Sequence, residues 1–374
     1  MITLKEMKTS AELKQFVKYP FLLYKNEPNW VPPIIADELD SMDPTKNPVF
    51  KNAEARYFIA YKENAPVGRI CAIINHIEVK EQGKPKIRFG WFDVIDDIEV
   101  TKKLLDKVRE IGTAHNLEFM EGPVGFSNME KAGLLVEGYE YLNTMITWYN
   151  YAYYKDHFEQ LGFEKAAEWV EFKIKIDPPD KQNPKVKKFA DIIAKRYNLT
   201  PLQFKTSNEI KPYVDEMFGL LNKTYDKLST FVPIQQYQID HYKEKYLKYV
   251  HPDFIKCVQD KDGNLVAFAI TMPSFSKALK KANGSLFPFG FYHLLKAKNK
   301  NSVAAFYLIG IDPEYQNKGV TAVIFQMMQN LFNDRGITDV ETNPELEENK
   351  AIQQLWKNYE HELHKRRRTY RKDI

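Results

Sequence analysis

The same order of elements reads twice along this 374-residue chain, once on either side of a polar, proline-punctuated stretch from Asp177 to Pro184 (DPPDKQNP). A chain of this length exceeds what one hydrophobic core usually serves, so two domains are expected. The first half opens with a helix over roughly 10–25, then a long Pro/Asp-rich loop carrying Trp30, Pro32 and Pro33. Two strands follow, RYFIAYKE from Arg56 and VGRICAIIN from Val67, joined at Asn64-Ala65-Pro66. β-Branched and aromatic residues around a turn are the hairpin pattern. Next come a strand IRFGWFDVI, a helix from Val100 to His115 with Leu104, Leu105, Val108 and Ile111 on one face, and a short strand FMEGPV. A helix ending at Leu161-Gly162-Phe163 and a strand WVEFKIKI close the half. The second half begins at LQFKT and carries helices over roughly 209–226 and 234–249. The hairpin FIKCVQDKDGNLVAFAITM turns at Asp262-Gly263, and a Gly/Pro/Phe-rich crossover occupies 283–292. Strand SVAAFYLIGI, helix 319–335, strand TDVET, helix 348–359 and a basic terminal strand complete the order. Strands and helices mixed in this sequence, twice over, predict a duplicated α+β architecture. The expected boundaries are a first domain over 1–176, a linker region over 177–199 and a second domain over 200–374.

Hydrophobic content of 44% and aromatic content of 14% exclude disorder for most of the chain. The N-terminus meets charges before any apolar run, so no secretory or transit segment is expected. The longest nearly apolar stretch, Val303 to Ile311, falls well short of the roughly 20 residues a membrane span needs. Cys71 and Cys257 lie far apart and support neither a disulfide framework nor a thiolate metal site. They fit buried core thiols in a reducing, cytoplasmic setting. The net charge of +4 traces to a basic cluster at 365–372 (KRRRTYRK), without which the balance is close to neutral.

The chemistry is concentrated in AAFYLIGIDPEYQNKGVTAVIFQMMQNLF, from Ala304 to Phe332. A buried strand ends at Ile311, Asp312-Pro313 turns the chain, and a helix starts near Gly319. Backbone N–H groups from Asn317 to Thr321, Val320 included, would then converge at a helix N-terminus, where unpaired donors and the helix dipole favour phosphate oxygens. Gly319 permits close approach of a ligand to the backbone, and Lys318 adds a cation at the rim.

These residues resemble the GNAT superfamily of acetyl-CoA-dependent acyltransferases. The family's loop, Gln/Arg-x-x-Gly-x-Gly/Ala after a hydrophobic strand and an x-Pro-x-Tyr turn, reads here Pro313-x-Tyr315-Gln316-x-x-Gly319-x-Thr321. Thr321 stands where the family has Gly or Ala. Downstream, Asn349 and Ala351 match the part that contacts the pantetheine arm, but Trp356 replaces the Tyr that often protonates the departing thiolate. The resemblance implies two GNAT-like domains, each a mixed, mostly antiparallel sheet flanked by helices, with acetyl-CoA or another acyl-CoA as co-substrate. It implies a coenzyme site of Ile311, Gln316, Asn317, Lys318, Gly319, Val320, Thr321 and Asn349, and acyl transfer to a small-molecule or peptide amine. An acid must replace the missing Tyr; Tyr359 is the nearest candidate, or a water could take the role. The base that takes the amine's proton is often a Glu; Glu341 is the first candidate and Glu314 the second. Duplication also resembles Fem-type aminoacyltransferases, whose aminoacyl-tRNA donor the basic tail would suit. A non-catalytic coenzyme A-binding protein is the third reading, resting on Trp356.

In the first half the corresponding loop reads Asp93-Val-Ile-Asp96-Asp97-Ile-Glu99, with four carboxylates and no glycine. Their repulsion of a pyrophosphate is on the order of 1 kcal/mol each when partly solvated. The helix end Phe158-Glu-Gln-Leu-Gly162-Phe163 resembles the family's Tyr-x-x-x-Gly-Phe, so the first half is expected to be a degenerate copy. The aromatic run Tyr139 to Tyr154 reads as an aromatic core between the domains, with an aromatic wall for a ligand as the alternative. Glu121 to Asn128 is a Gly/Pro loop of the kind that connects elements or lines a pocket. His361 and His364 stand at i, i+3 rather than the i, i+4 of a helical zinc site, and no metal is expected. The basic terminal strand is expected to be a solvated edge strand rather than a nucleic-acid surface.

Overall fold

The computed structural model describes residues 1–127, 129–225, 231–246 and 250–374. Asn128, Asp226 and residues 247–249, to which the expected Gly/Pro loop and helices extend, lie outside the described residues. In chain order the elements are β1 (Ile2–Met7), α1 (Ser10–Leu23), α2 (Ile35–Ser41), β2 (Ala53–Lys62), β3 (Ala65–Asn75), β4 (Lys86–Val94), α3 (Ile98–Ala114), β5 (Phe119–Gly122), β6 (Leu134–Glu137), α4 (Tyr153–Gln160) and β7 (Glu164–Lys175). They continue through α5 (Pro184–Arg196), β8 (Thr200–Leu202), α6 (Ser207–Ile210), α7 (Val214–Tyr225), α8 (Gln236–Tyr246), β9 (Ile255–Gln259), β10 (Leu265–Pro273), α9 (Ser276–Ala282), α10 (Gly290–Asn299), β11 (Val303–Ile311), α11 (Val320–Asp334), β12 (Asp339–Thr342), β13 (Glu345–Leu346), α12 (Lys350–Gln353) and β14 (His361–Asp373). Helices and mixed, open sheets together make the α+β class.

The chain forms two compact units. Unit 1 comprises Met1–Val170, Phe275–Leu294 and His364–Ile374; unit 2 comprises Glu171–Ser274 and Leu295–Leu363. The expected linker region 177–199 contains helix α5, which packs on α11 inside unit 2.

In unit 1 the strand order is β1-β2-β3-β4-β5-β14-β7. Strand pairs β1–β2, β2–β3, β3–β4 and β5–β14 are antiparallel, and β4 runs parallel to β5 over Lys86–Arg88 and Phe119–Glu121. Along β2, Phe58 and Ala60 join the core formed with Val100, Leu104 and Val108 of α3, whereas Tyr57 and Ile59 join Phe16 and Val17 of α1. This alternation follows from side chains pointing to opposite faces of a strand, and it covers the sheet on both sides. Thr9 and Glu12 start α1 with a reciprocal capping box. The aromatic run is core, within unit 1: Tyr24 packs on Trp30, Tyr149 and Tyr151, and its hydroxyl donates to Asp93 at 2.8 Å.

The terminal basic strand departs from expectation. It is not a solvated edge: β14 lies between β5 and β7, with Tyr370 opposite Gly122 and Asp373 opposite Phe119. Lys365, Arg367 and Thr369 are fully buried. Lys365 donates to the Leu142 carbonyl at 2.9 Å, and Arg367 donates to Asn143 Oδ1 at 3.0 Å and to the Trp148 carbonyl. Buried Glu168 holds Arg366 at 3.0 Å and Arg368 at 2.7 Å. The cluster reads as a solvated edge in sequence because nothing local announces acceptors some 200 residues away.

In unit 2 the order is β7-β12-β11-β10-β9-β8, with β11 and β12 parallel and each of the other neighbouring pairs antiparallel. Helix α7 packs on β10 and β11, and α11 packs on β9 and β10. The crossover expected over 283–292 is flanked by α9 and α10, and β1 precedes the first expected helix.

Replacing Arg367 by Ala should destabilise the chain by about 3 kcal/mol, since it leaves a void and strands two buried acceptors. A urea midpoint indistinguishable from that of the unsubstituted chain would show that β14 does not hold unit 1 together.

Candidate functional site

Strand β11 of unit 2 sets the geometry. It pairs with β12 only over Val303–Phe306 against Asp339–Thr342, then runs on to Ile311 while β12 ends. The two parallel strands therefore part. At the parting, the Asn343 N–H donates to the Phe306 carbonyl at 3.0 Å and its side-chain amide to the Tyr307 carbonyl at 2.8 Å. Tyr225 of α7 donates its hydroxyl to the Ile309 carbonyl at 3.0 Å, and Thr224 donates to the Ile311 carbonyl at 3.2 Å.

Beyond Ile311 the chain turns. The Asp312 side chain accepts from the N–H of exposed Glu314, and the Asp312 carbonyl accepts from Tyr315 and Gln316. Gln316, Asn317 and Lys318 are exposed, Gly319 and Thr321 are half-buried, and Val320 is buried. Gly319 is the N-cap of α11 with φ +79° and supplies no side-chain cap. The Lys318 N–H donates to the Tyr315 carbonyl at 3.3 Å, and past the cap the Ala322 N–H closes back onto the Gly319 carbonyl at 2.9 Å. The preceding donors thus lie before the intrahelical ladder. Lys318 Nζ sits 5.0 Å from the Tyr315 ring centroid and 5.6 Å from that of Tyr197. One side of the loop is already occupied: a Cβ on Gly319 would stand 3.2 Å from Ile193 and Phe189 of α5.

The corresponding helix start in unit 1 is built differently. Asp97 is the N-cap of α3, accepts from the Glu99 N–H at 3.0 Å and pairs with Lys62 at 3.0 Å. Asp93 is buried against Arg69 at 2.6 Å, and Asp96 lies 3.2 Å from His157. These carboxylates serve the fold of unit 1.

Further along α11, roughly 9 Å from Gly319 at 1.5 Å per residue, Phe325 receives Trp356 and Tyr359. Their ring centroids lie 5.3 and 6.3 Å from that of Phe325. Trp356 and Tyr359 also line a small apolar cavity with Ile174, Phe306, Met328 and Val340. Burial pushes the Tyr359 phenol up to about 12, with Asp177 adding to the shift. Glu341 is half-buried on β12 opposite Ala305 and Lys173, and its charge helps raise the Tyr307 phenol, mainly shifted by burial. Asn349 stands just before α12, its N–H on the Leu346 carbonyl at 2.9 Å. Thus Trp356 and Tyr359 are brought together on α11, and the loop residues share its N-terminus; Glu341 and Asn349 sit on other elements.

Sequence reasoning missed Glu345. It follows Asn343-Pro344 at the parting of the strands, is buried, and accepts the Trp356 indole N–H at 3.0 and 3.2 Å. Burial raises its carboxyl to about 8, against the Trp356 and Thr342 hydrogen bonds that pull it down. Its charge also helps lift the Tyr225 phenol, which burial takes to about 12. The signal available in the sequence was a Glu directly after a strand-ending Asn-Pro, paired with the Trp that departs from the family pattern.

No protein-family model matches the chain. Over its whole length it is similar to a tandem GNAT protein from the clavulanic acid biosynthesis pathway, with TM-score 0.57, 11% identity and coverage of 100% of this chain and 98% of that one. It is also similar to a GCN5-related N-acetyltransferase from Sphaerobacter thermophilus, with TM-score 0.54, 9% identity and coverage of 100% and 95%. The fold is therefore of the GNAT type. Among curated proteins, the chain is 27% identical over 369 residues to protein YghO of Escherichia coli, covering 97% of this chain and 93% of that protein. It is 26% identical over 380 residues to bacterial ceramide synthase of Caulobacter vibrioides, covering 98% and 96%.

Because the Glu345 carboxyl is raised, the folded state holds its proton over a pH range where the unfolded chain releases it. That contribution is complete below about pH 4.5 and is lost as pH rises toward about 8. Thermal midpoints of the unsubstituted chain should fall across this window relative to those of Glu345→Gln. Parallel pH profiles for the two proteins would mean that Glu345 titrates normally.

Proposed function

We propose that unit 2 binds an acyl thioester of coenzyme A and transfers the acyl group to an amine. The observation that carries this reading is the contrast between two helix starts: α3 is capped by its own Asp97, whereas α11 begins at Gly319 with no side-chain cap. The donors of Asn317, Gly319, Val320 and Thr321 would hold the pyrophosphate, with the Lys318 ammonium at the rim and Gln316 beside it. Ile311 and Asn349 would flank the pantetheine arm. In this reading unit 1 is a copy that has lost the coenzyme loop.

In the transfer, the amine nitrogen attacks the thioester carbonyl, the C–S bond breaks, an amide forms and coenzyme A leaves as the thiolate. Glu345 takes the amine proton; a carboxyl near 8 divides its time between both protonation states at neutral pH, as a general base requires. Glu341 is the alternative base. Tyr359, held protonated by burial, returns a proton to the thiolate in place of the Tyr that Trp356 replaces. Support for an amine acceptor comes from the GNAT-type fold and from the similarity to bacterial ceramide synthase, since a ceramide is an N-acylated amino alcohol. The acceptor class proposed is accordingly a long-chain amino alcohol. The tRNA-dependent reading loses its sequence support, because Lys365 and Arg367 of the basic terminal strand are buried.

Calorimetry with acetyl-CoA tests the binding step, and absence of heat at high micromolar concentration would refute it. Thr321→Glu should weaken binding about tenfold, ~1.4 kcal/mol, by placing an anion among the phosphate donors. An acid in the first helical turn favours the helix, so this variant should remain folded, whereas a side chain at Gly319 would meet α5 and an unfavourable φ. The kcat/KM of the chain should rise with pH up to about 8, a limb that Glu345→Gln abolishes and Glu341→Gln retains. Persistence of the limb in Glu345→Gln would transfer the base role to another group.

A further inference from the structure

Unit 1 carries an apolar surface that the proposed chemistry does not use. Between α9 and α10 and along the start of α10, Phe287 is 77% exposed, Phe289 71%, Tyr292 55% and Phe291 44%. Side chains of this size are seldom left so open as a group, and a cluster of them marks a binding surface. The base beneath the cluster is well fixed. Leu279 and Ala282 of α9 are buried with Val31 and Ile34, and Leu286 and Leu294 pack against the same group. The Ile35 N–H donates to the Gly284 carbonyl at 3.0 Å, and Ser285 Oγ donates to the Phe287 carbonyl at 2.8 Å. Leu286 and Leu294 therefore hold the segment down while the aromatic rings stand outward, with Phe287 and Phe291 centroids 5.9 Å apart.

The charges on the segment itself have one sign. From Phe275 to Leu294 the sequence contains no Asp or Glu, while Lys277, Lys280 and Lys281 precede the aromatics. Lys277 and Lys281 are exposed. Exposed aromatic rings preceded by lysines match an anionic lipid surface: the rings enter the headgroup region, and the ammonium groups remain at the phosphate level. A second copy of the chain is a poor occupant, because a two-fold interface would set these lysines against themselves. No described helix is long and apolar enough to cross a bilayer, so the contact is peripheral.

We infer that the Phe287–Tyr292 segment, with the lysines that precede it, docks the protein on an anionic membrane surface. This goes beyond the proposed acyl transfer and does not depend on it. It would bring the chain to the phase in which amphipathic acceptors reside.

The full chain should co-sediment with vesicles of phosphatidylcholine mixed with phosphatidylglycerol, and much less with phosphatidylcholine alone. Phe287→Ser with Phe289→Ser should lower the partition constant roughly tenfold or more, since two rings leave the interface. Lys277→Glu with Lys281→Glu should remove most of the dependence on anionic lipid and on salt. All four positions are exposed or nearly so, and unchanged thermal midpoints would establish that the variants fold. Absence of sedimentation with either vesicle, equal binding to both, or full binding by the phenylalanine variant would each overturn the proposal. So would self-association in sedimentation velocity that the phenylalanine variant abolishes while vesicle binding is unaffected.

Discussion

Glu168 anchors the terminal strand on which unit 1 depends. Its carboxylate, almost wholly removed from water, is held by Arg366 and Arg368, while Arg367 between them points the other way into the carbonyls and amide of the 143–148 segment. Successive residues of a strand face opposite sides, so three consecutive arginines require acceptors on both. Here the fold supplies them on both. The last strand of the sequence is consequently an interior strand of the unit that contains the first, and unit 1 has no complete sheet until the final residues are in place. Likewise, unit 2 begins its sheet with the C-terminal part of β7, whose N-terminal part belongs to unit 1. The two units do not simply follow each other along the chain; each includes chain from the other half of the sequence.

This exchange marks the limit of what local pattern conveys. The β2–β3 and β9–β10 hairpins, α3 and α11 were legible because their signals are short-range: turn residues between β-branched runs, and apolar spacing at the helical period. Glycine at the start of α11 was legible too, since a residue at φ +79° has few alternatives. The position of β14 was not, because a buried Arg looks like an exposed one until its acceptors are known. Helices α9 and α10 were hidden for another reason: Gly284, Pro288 and Gly290 in the connection suggested an irregular crossover, although Ala278, Leu279 and Ala282 already hold the helical spacing.

The candidate site divides along the same line. Its loop is a contiguous motif, so its residues could be named from the sequence, whereas the exposure of Lys318 and the burial of Val320 come from the fold. Its titratable centre was not, because Glu345 gains its character from burial beneath Trp356, and burial is not written in the residue. Trp356 itself was visible as a departure from the family pattern, but its partner was not. An indole donating to the Glu345 carboxyl stands where the pattern leads one to expect a phenol.

A carboxyl raised to about 8 by burial is costly to the folded state. Glu130 in unit 1, raised by burial to about 7, shares that cost with none of the neighbouring features. Its oxygen accepts the Phe126 N–H at 2.8 Å, and Gly125 is pressed against its side chain, so it closes a loop rather than facing a parted strand. Glu345, by contrast, stands where β11 and β12 separate and their ladder ends, beside Asn343 and near the Tyr225 hydroxyl. Two buried carboxyls of similar titration thus differ in what lies around them. The one at the parting of parallel strands has backbone beside it that β12 no longer pairs, and that combination, rather than the shifted carboxyl alone, distinguishes Glu345 from Glu130.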